Sequence, residues 1–253
     1  MRLGISSYTY TWAVGVPGHP PPQPMTAIGL LNRAAQLGVS VVQIADNLPL
    51  DRLSSSELDA LETYASDAKI SIEVGTRGIA LDHLRTYLGL ARRMGSPIVR
   101  VVIDTADHHP DPNTVVHTLR DIIPEFEGSG VRLAIENHDR FTAQTLADIV
   151  RQIDSEFVGI CLDTVNSFGA LEGPHAVLDT LGSLVVNLHI KDFGIFRANH
   201  MMGFTVEGRP AGQGMLNVPW LLGELHRLAI DANAILELWT PPEEDLAATI
   251  RKE

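Results

Sequence analysis

Four hydrophobic segments of this chain each run into one ionisable side chain: Leu133-Ala134-Ile135-Glu136, Ile160-Cys161-Leu162-Asp163, Asn187-Leu188-His189 and Ile235-Leu236-Glu237. A carboxylate at the end of a buried strand is costly to desolvate, and three of them around one histidine repel one another unless positive charge lies between them. A divalent cation meets that need. Three oxygen ligands and one imidazole suit manganese, magnesium, cobalt or zinc, and leave coordination positions where a small molecule's carbonyl can be polarised. The rival reading for each carboxylate is strand capping, or pairing with Arg100, Lys191 or Arg209.

Other residues fall into the same region by alternation, since side chains along a strand point in and out by turns. Lys191 lies two residues past His189 and shares its direction, so its ammonium is suited to an oxyanion or a substrate carboxylate. Gln43, Glu73 and Arg100 occupy inward positions on three earlier strands, where they are expected to bind substrate hydroxyls, with buried ion pairing as the competing role. Asn166 is a hydrogen-bond donor to a substrate hydroxyl or a cap for its own turn. His138, Trp12 and Arg209 complete the expected substrate contacts. Cys161, the only cysteine, sits among apolar strand residues and reads as a packed core thiol.

The elements that must position these groups alternate along the whole chain. Strands are predicted near Leu3–Tyr8, Val41–Asp46, Ser71–Gly75, Val99–Ile103, Arg132–Asn137, Val158–Asp163, Val185–Lys191 and Ala234–Trp239. Between them lie amphipathic stripes such as Leu58, Leu61 and Ala65, introduced by a Ser54-Ser55-Ser56-Glu57 cap, and others within Leu81–Met94, Val115–Phe126, Leu146–Ile153 and Leu221–Leu228. Gly38, Gly95, Gly130 and Gly182 mark helix ends. Eight such units predict an α/β fold, a single (β/α)8 TIM barrel occupying residues 1–253 as one domain. Two segments depart from the repeat, the proline- and glycine-rich Val14–Pro24 and the stretch Phe193–Gly214, and both follow strand ends, where barrels build their sites.

A formal net charge of −12 disfavours phosphate backbones and anionic lipid surfaces, so no nucleic acid and no membrane partner is expected. With no run of about eighteen apolar residues and an N-terminus that reads as a strand, a cytoplasmic location is expected. Homo-oligomerisation is compatible with such a barrel.

The series Leu-Ala-Ile-Glu136-Asn137, Leu-Asp163-Thr164, Leu188-His189-Ile190-Lys191-Asp192 and Leu236-Glu237 resembles the motifs of the xylose-isomerase-like barrel superfamily, of the sugar phosphate isomerase/epimerase kind. Gly212-Gln213-Gly214-Met215-Leu216-Asn217 resembles that group's glycine-containing segment, so the likeness spans nearly the whole chain. It implies Glu136, Asp163, His189 and Glu237 as ligands of one divalent ion, manganese before magnesium, cobalt or zinc. It further implies Glu136 and Glu237 as an acid/base pair that moves a proton on a small ketose or related polyhydroxy carbonyl compound through a metal-stabilised enediolate. Two departures weaken epimerisation: Asn166 stands where the group's epimerases carry histidine, and Ile195 where they carry arginine. The alternatives are therefore a metal-dependent lyase that decarboxylates a 3-oxo sugar acid, and a non-catalytic sugar-binding barrel. The endonuclease branch needs more metal ligands and a basic surface, neither of which is evident in this chain.

Overall fold

In the computed structural model, which describes residues 1–253, eight parallel strands close into a barrel in the order β1-β10-β7-β6-β5-β4-β3-β2. The strands in chain order are β1 (Leu3–Ser6), β2 (Val41–Ile44), β3 (Ser71–Arg77), β4 (Ile98–Val102), β5 (Arg132–Glu136), β6 (Val158–Asp163), β7 (Val185–Ile190), β8 (Asp192–Arg197), β9 (Phe204–Arg209) and β10 (Ala234–Leu236). The helices are α1 (Thr11–Val14), α2 (Ala27–Leu37), α3 (Ser55–Ala68), α4 (Leu81–Met94), α5 (Pro112–Ser129), α6 (Ala143–Ile153), α7 (Pro174–Leu181), α8 (Val218–Arg227) and α9 (Leu246–Lys252). This is a (β/α)8 TIM barrel. No helix is long and apolar enough to cross a membrane.

The principal core is a cluster of 57 buried residues, and a separate one of only three, Ile98, Ala134 and Cys161, packs on the inner side of the strands. Apolar side chains thus carry stability mainly outside the barrel wall, between sheet and helices. The interior is free to be polar, and it holds Gln43, Glu73, Arg100 and Asn187 at 2% exposure or less. Burying such groups costs several kcal/mol each unless they are paired, which dictates the hydrogen-bonded layers described below.

Local sequence explains most element ends. Ser54 and Glu57 form the expected capping box of α3. Gly38, Gly95 and Gly130 end their helices in the left-handed conformation. Gly182 does not: it stays right-handed, at φ −53°, and opens a short turn leading into β7. It is small for a packing reason, because a Cβ there would come within 2.8 Å of Leu228 Cδ1.

Three strands end clearly earlier than expected, β1 and β2 by two residues and β10 by three. β1 stops at Ser6, whose hydroxyl accepts from Tyr8 N while Thr9 Oγ1 accepts from Ser6 N, so residues Ser7–Tyr10 form a 3-10 turn. Strand β10 stops at Leu236, whose carbonyl accepts from the Thr9 hydroxyl. Pairing still persists past it, as Glu237 N donates to Ile190 O at 3.1 Å.

The irregular stretch after β7 is an antiparallel hairpin, β8–β9, with Asp192 opposite Arg209. Its base is fixed by Asp192, whose carboxylate accepts from the backbone N–H of Phe193, Gly212, Gly214 and Leu216. Gly214 is required here, since a Cβ would lie 2.3 Å from Asp192 Oδ1. Gly208 has the same kind of role at the mouth: its Cα lies so close to Trp239 that a Cβ would fall 1.9 Å from the Trp239 carbonyl oxygen. The hairpin is thereby pressed against the segment that follows β10.

Candidate metal centre

Glu136 and Asp163 end β5 and β6, His189 lies near the end of β7, and Glu237 follows β10, so four strands deliver the four side chains to the C-terminal mouth of the barrel. All four are at most 2% exposed. His189 Nδ1 is 3.3 Å from Glu136 Oε2, 3.5 Å from Glu237 Oε2 and 3.8 Å from Asp163 Oδ2.

The outer oxygens of this cluster are each held from behind. Asn166 Nδ2 donates to Glu136 Oε1 at 2.7 Å, the Ser6 hydroxyl donates to Glu237 Oε1 at 2.7 Å, and the N–H groups of Val165 and Asn166 donate to Asp163 Oδ1 at 2.9 Å. Asn137 stitches β5 to β6, exchanging hydrogen bonds with the Asp163 backbone at 2.7 and 2.9 Å. Two buried cations flank the carboxylates: Arg100 Nε donates to Glu136 Oε2, and Lys191 Nζ to Asp163 Oδ2 at 2.7 Å. Arg100 is shared with Asp46, through Nη1 at 2.8 Å.

Two buried polar atoms are left without any hydrogen-bond partner, His189 Nδ1 and Glu237 Oε2. Lys191 Nζ comes within 2.9 Å of that glutamate oxygen, close enough for charge attraction but off the direction a hydrogen bond requires. An unpartnered buried polar atom costs about 1–3 kcal/mol, so a pair of them directed at each other across 3.5 Å calls for a shared electrophile, a metal ion or, in its absence, a proton on His189. The donor set of carboxylate oxygens and one imidazole nitrogen fits a hard or borderline divalent cation. The groups Asp163–His189–Glu237 and Glu136–Cys161–His189 each have ligand atoms close enough together to hold a metal ion.

The electrostatics agree. Burial raises the carboxyl pKa of Glu136, but Arg100 and His189 outweigh it and hold the group well below the usual carboxylate range. Glu237 is likewise depressed, burial being overcome by His189 and Lys191. Burial also opposes a charged His189, yet its surroundings, Cys161, Glu237 and Glu136, raise it well above its ordinary value. Of these the glutamates supply the field, because burial pushes the Cys161 thiol up to about 11 and leaves it neutral near pH 7. Three carboxylates (Glu136, Asp163, Glu237) face two fixed cations (Arg100, Lys191), and in the metal-free protein a proton on His189 balances the remainder. Cys161 is fully buried and donates to Asn187 Oδ1 at 3.3 Å, the packed thiol its surroundings predict.

A cavity of about 690 Å³ opens above the cluster. Glu136, Glu237, Lys191, Asn166, Arg100, His138 and Trp12 line it, Trp12 being fixed by its indole N–H donating to Thr240 O at 2.9 Å. Three expected substrate contacts are placed elsewhere. Gln43 and Glu73 point inward as alternation predicts, but lower along the barrel axis: Gln43 is fully buried beneath His189, and Glu73 lines a separate cavity of about 480 Å³ at the opposite end. Arg209 stacks on Phe196 at 4.6 Å and approaches Glu207 at 3.4 Å, because its place at the end of β9 turns it away from the cavity.

The structure also adds residues that sequence reasoning passed over. Arg77, on the same inward parity as Glu73, reaches the cavity; its Nε donates to Asp46 Oδ2 at 3.1 Å and its Nη1 to Asp104 O at 3.2 Å, leaving Nη2 without a protein partner. Tyr8 and Trp239 line the cavity too, the Trp239 ring centre lying 5.9 Å from Lys191 Nζ. Asp46 and Ser6 carried the one available signal, a polar residue at the C-terminal end of a hydrophobic strand.

Fold and centre together define a barrel that gathers three carboxylates and a histidine at the mouth where such folds place their chemistry. The chain belongs to the xylose isomerase-like TIM barrel family, whose model matches residues 31–252. It is 36% identical to the 3-oxo-isoapionate decarboxylase of Pectobacterium atrosepticum over 253 residues, covering 100% of this chain and 91% of that protein. Among solved structures, a xylose isomerase-like barrel protein from Mycobacterium smegmatis in complex with magnesium matches 99% of this chain and 93% of its own, with TM-score 0.72 and 14% identity. The D-psicose 3-epimerase of Clostridium cellulolyticum H10 matches 99% of this chain and 89% of its own, with TM-score 0.72 and 19% identity. At those identities the two structures speak for the fold alone.

Proposed function

We propose that this protein is a divalent-metal-dependent decarboxylase of a 3-oxo sugar acid, with manganese as the favoured ion. The observation that carries this reading is the 36% identity, over the whole of this chain, to a 3-oxo-isoapionate decarboxylase. The site's own residues support the same ordering: Asn166, which stands where the group's epimerases carry histidine, donates to Glu136 Oε1 at 2.7 Å and cannot shuttle a proton near neutral pH. Loss of carbon dioxide needs no base.

Glu136, Asp163, His189 and Glu237 would hold the ion, whose contribution when bound is Lewis acidity toward the 3-oxo oxygen of the substrate. The bond from the carboxyl carbon to C2 breaks, its electron pair moves to C2 and C3, and negative charge develops on the 3-oxo oxygen. Carbon dioxide leaves, and C2 takes up one proton from solvent. Lys191 is placed to stabilise that charge, as a buried ammonium lining the cavity beside Glu237. Arg77, with one nitrogen free, offers the substrate carboxylate or a hydroxyl a charged donor. Trp12, Trp239 and Pro241 narrow the apolar side of the cavity against bulk water.

The test is a substrate panel with manganese and with chelator. The protein should release carbon dioxide from 3-oxo sugar acids only when the metal is present, and leave the α-protons of ketoses unexchanged in deuterium oxide. Rapid exchange on ketoses without carbon dioxide release would restore the isomerase/epimerase reading. Metal-dependent binding of either class without turnover would leave a sugar-binding barrel.

A further inference from the structure

Beneath the centre, the barrel interior holds a second polar layer whose hydrogen bonds have only one consistent direction. Glu73, 2% exposed, accepts from Gln43 Nε2 at 3.1 Å, from Asn187 Nδ2 at 2.9 Å and from Asn233 Nδ2 at 2.6 Å. A carboxylate only accepts, so each amide around it must turn its NH2 group inward. Gln43 Nε2 also donates to Asn187 Oδ1 at 3.0 Å, an oxygen that accepts from the Cys161 thiol as well. With its NH2 committed, Gln43 has only its carbonyl oxygen left for the remaining neighbour, His189 Nε2, at 2.7 Å. Reversing Gln43 would set its oxygen against both Glu73 Oε2 and Asn187 Oδ1.

We infer that Glu73, acting through Gln43, forces His189 to carry its ring proton on Nε2 and so to present Nδ1 as a metal ligand. Gln43 and Glu73 are positioning residues. A neutral histidine has one nitrogen with a proton and one with a lone pair, and which is which follows the bond made by the other side of the ring. The preference is therefore set from a residue at the far end of the barrel, with no contact to the cavity above the centre. The inference extends the metal reading proposed above, but the direction of the bonds stands on the protein's own side chains.

The test compares wild type with Q43L, E73Q, Q43E and the double variant Q43E/E73Q, all as full chains with 15N-labelled histidine. One readout is the Mn2+ dissociation constant by calorimetry, the other the Nε2–H resonance of His189 and its protection from exchange. Wild type should show a protected Nε2–H with or without metal. Q43L should lose that protection and bind Mn2+ about 10–100-fold more weakly, the usual cost of removing a residue that orients a ligand. Q43E alone sets two carboxylates face to face and should also weaken binding, whereas in Q43E/E73Q, with the Asn187 amide turned over, every amide donor again meets an acceptor and most of the affinity should return. This rescue separates a directional role from simple packing. An unprotected Nε2–H in wild type, or Q43L with unchanged protection and Mn2+ affinity, would overturn the inference. If wild type binds no Mn2+, the proposed function fails, and the protection of the His189 Nε2–H in the metal-free proteins, kept in wild type and lost in Q43L, still decides this one.

Discussion

The barrel interior contains two polar layers built from the same strands, and they differ in one respect. In the lower, the side-chain polar atoms of Gln43, Glu73 and Asn187 all have partners. In the upper, Glu136, Asp163, His189 and Glu237 are supported from behind, while His189 Nδ1 and Glu237 Oε2 have no hydrogen-bond partner. Buried polar groups are normally satisfied, so the lower layer is complete in itself, whereas the upper one leaves two atoms free for the ion proposed above. The physical distinction is completeness. Both layers are polar and both are deeply buried.

The largest effect should come from removing a ligand in the upper layer. Glu237→Gln leaves Ser6 a partner but withdraws the charge aimed at His189, and carbon dioxide release should fall by about 10³-fold or more in a steady-state assay. Activity retained near the wild-type level would erase the difference between the layers. Next, Lys191→Met keeps the side chain's length and removes its charge, and should lower kcat by about 10²–10³-fold with metal binding still measurable. A drop in metal affinity alone, at unchanged kcat, would assign Lys191 to the support of Asp163 instead.

The pH response should separate the layers further. His189 is raised above its ordinary value of 6.5, so in the metal-free protein its stabilising charge is fully present below pH 6.5 and is lost as pH rises through the elevated folded value. Metal must displace that proton, so the gain in melting temperature on adding Mn2+ should grow over the same rise in pH. A gain that shrinks as pH rises would contradict this assignment of charge. The smallest effect belongs to the inner apolar cluster: Cys161→Ala should cost about 1–2 kcal/mol in urea unfolding and leave Mn2+ affinity within about twofold. A large loss of affinity would make the thiol part of the centre.

Much of the upper layer is legible in the sequence because each member ends a hydrophobic strand, and in a parallel barrel every such end reaches one mouth. The lower layer misleads for a related reason. Alternation tells which way Gln43 and Glu73 point, but their height along the axis depends on the stagger between neighbouring strands, as in the pairing of Gln43 with Glu73 and of Asp163 with His189. Arg209 was unreadable in another way, since its direction follows from a hairpin register that no hydrophobic period announces. Gly182 shows the same limit for glycine, which marks either a left-handed turn or a close packing contact.

The central claim is that Glu136, Asp163, His189 and Glu237 together hold one divalent ion. It is tested most directly by calorimetric titration of Mn2+ into the chelator-stripped protein, alongside Asp163→Asn and His189→Ala. One site per chain in wild type, weakened by at least about a hundredfold in both variants, is the predicted result. No heat of binding in wild type, or an affinity indifferent to both substitutions, would contradict it.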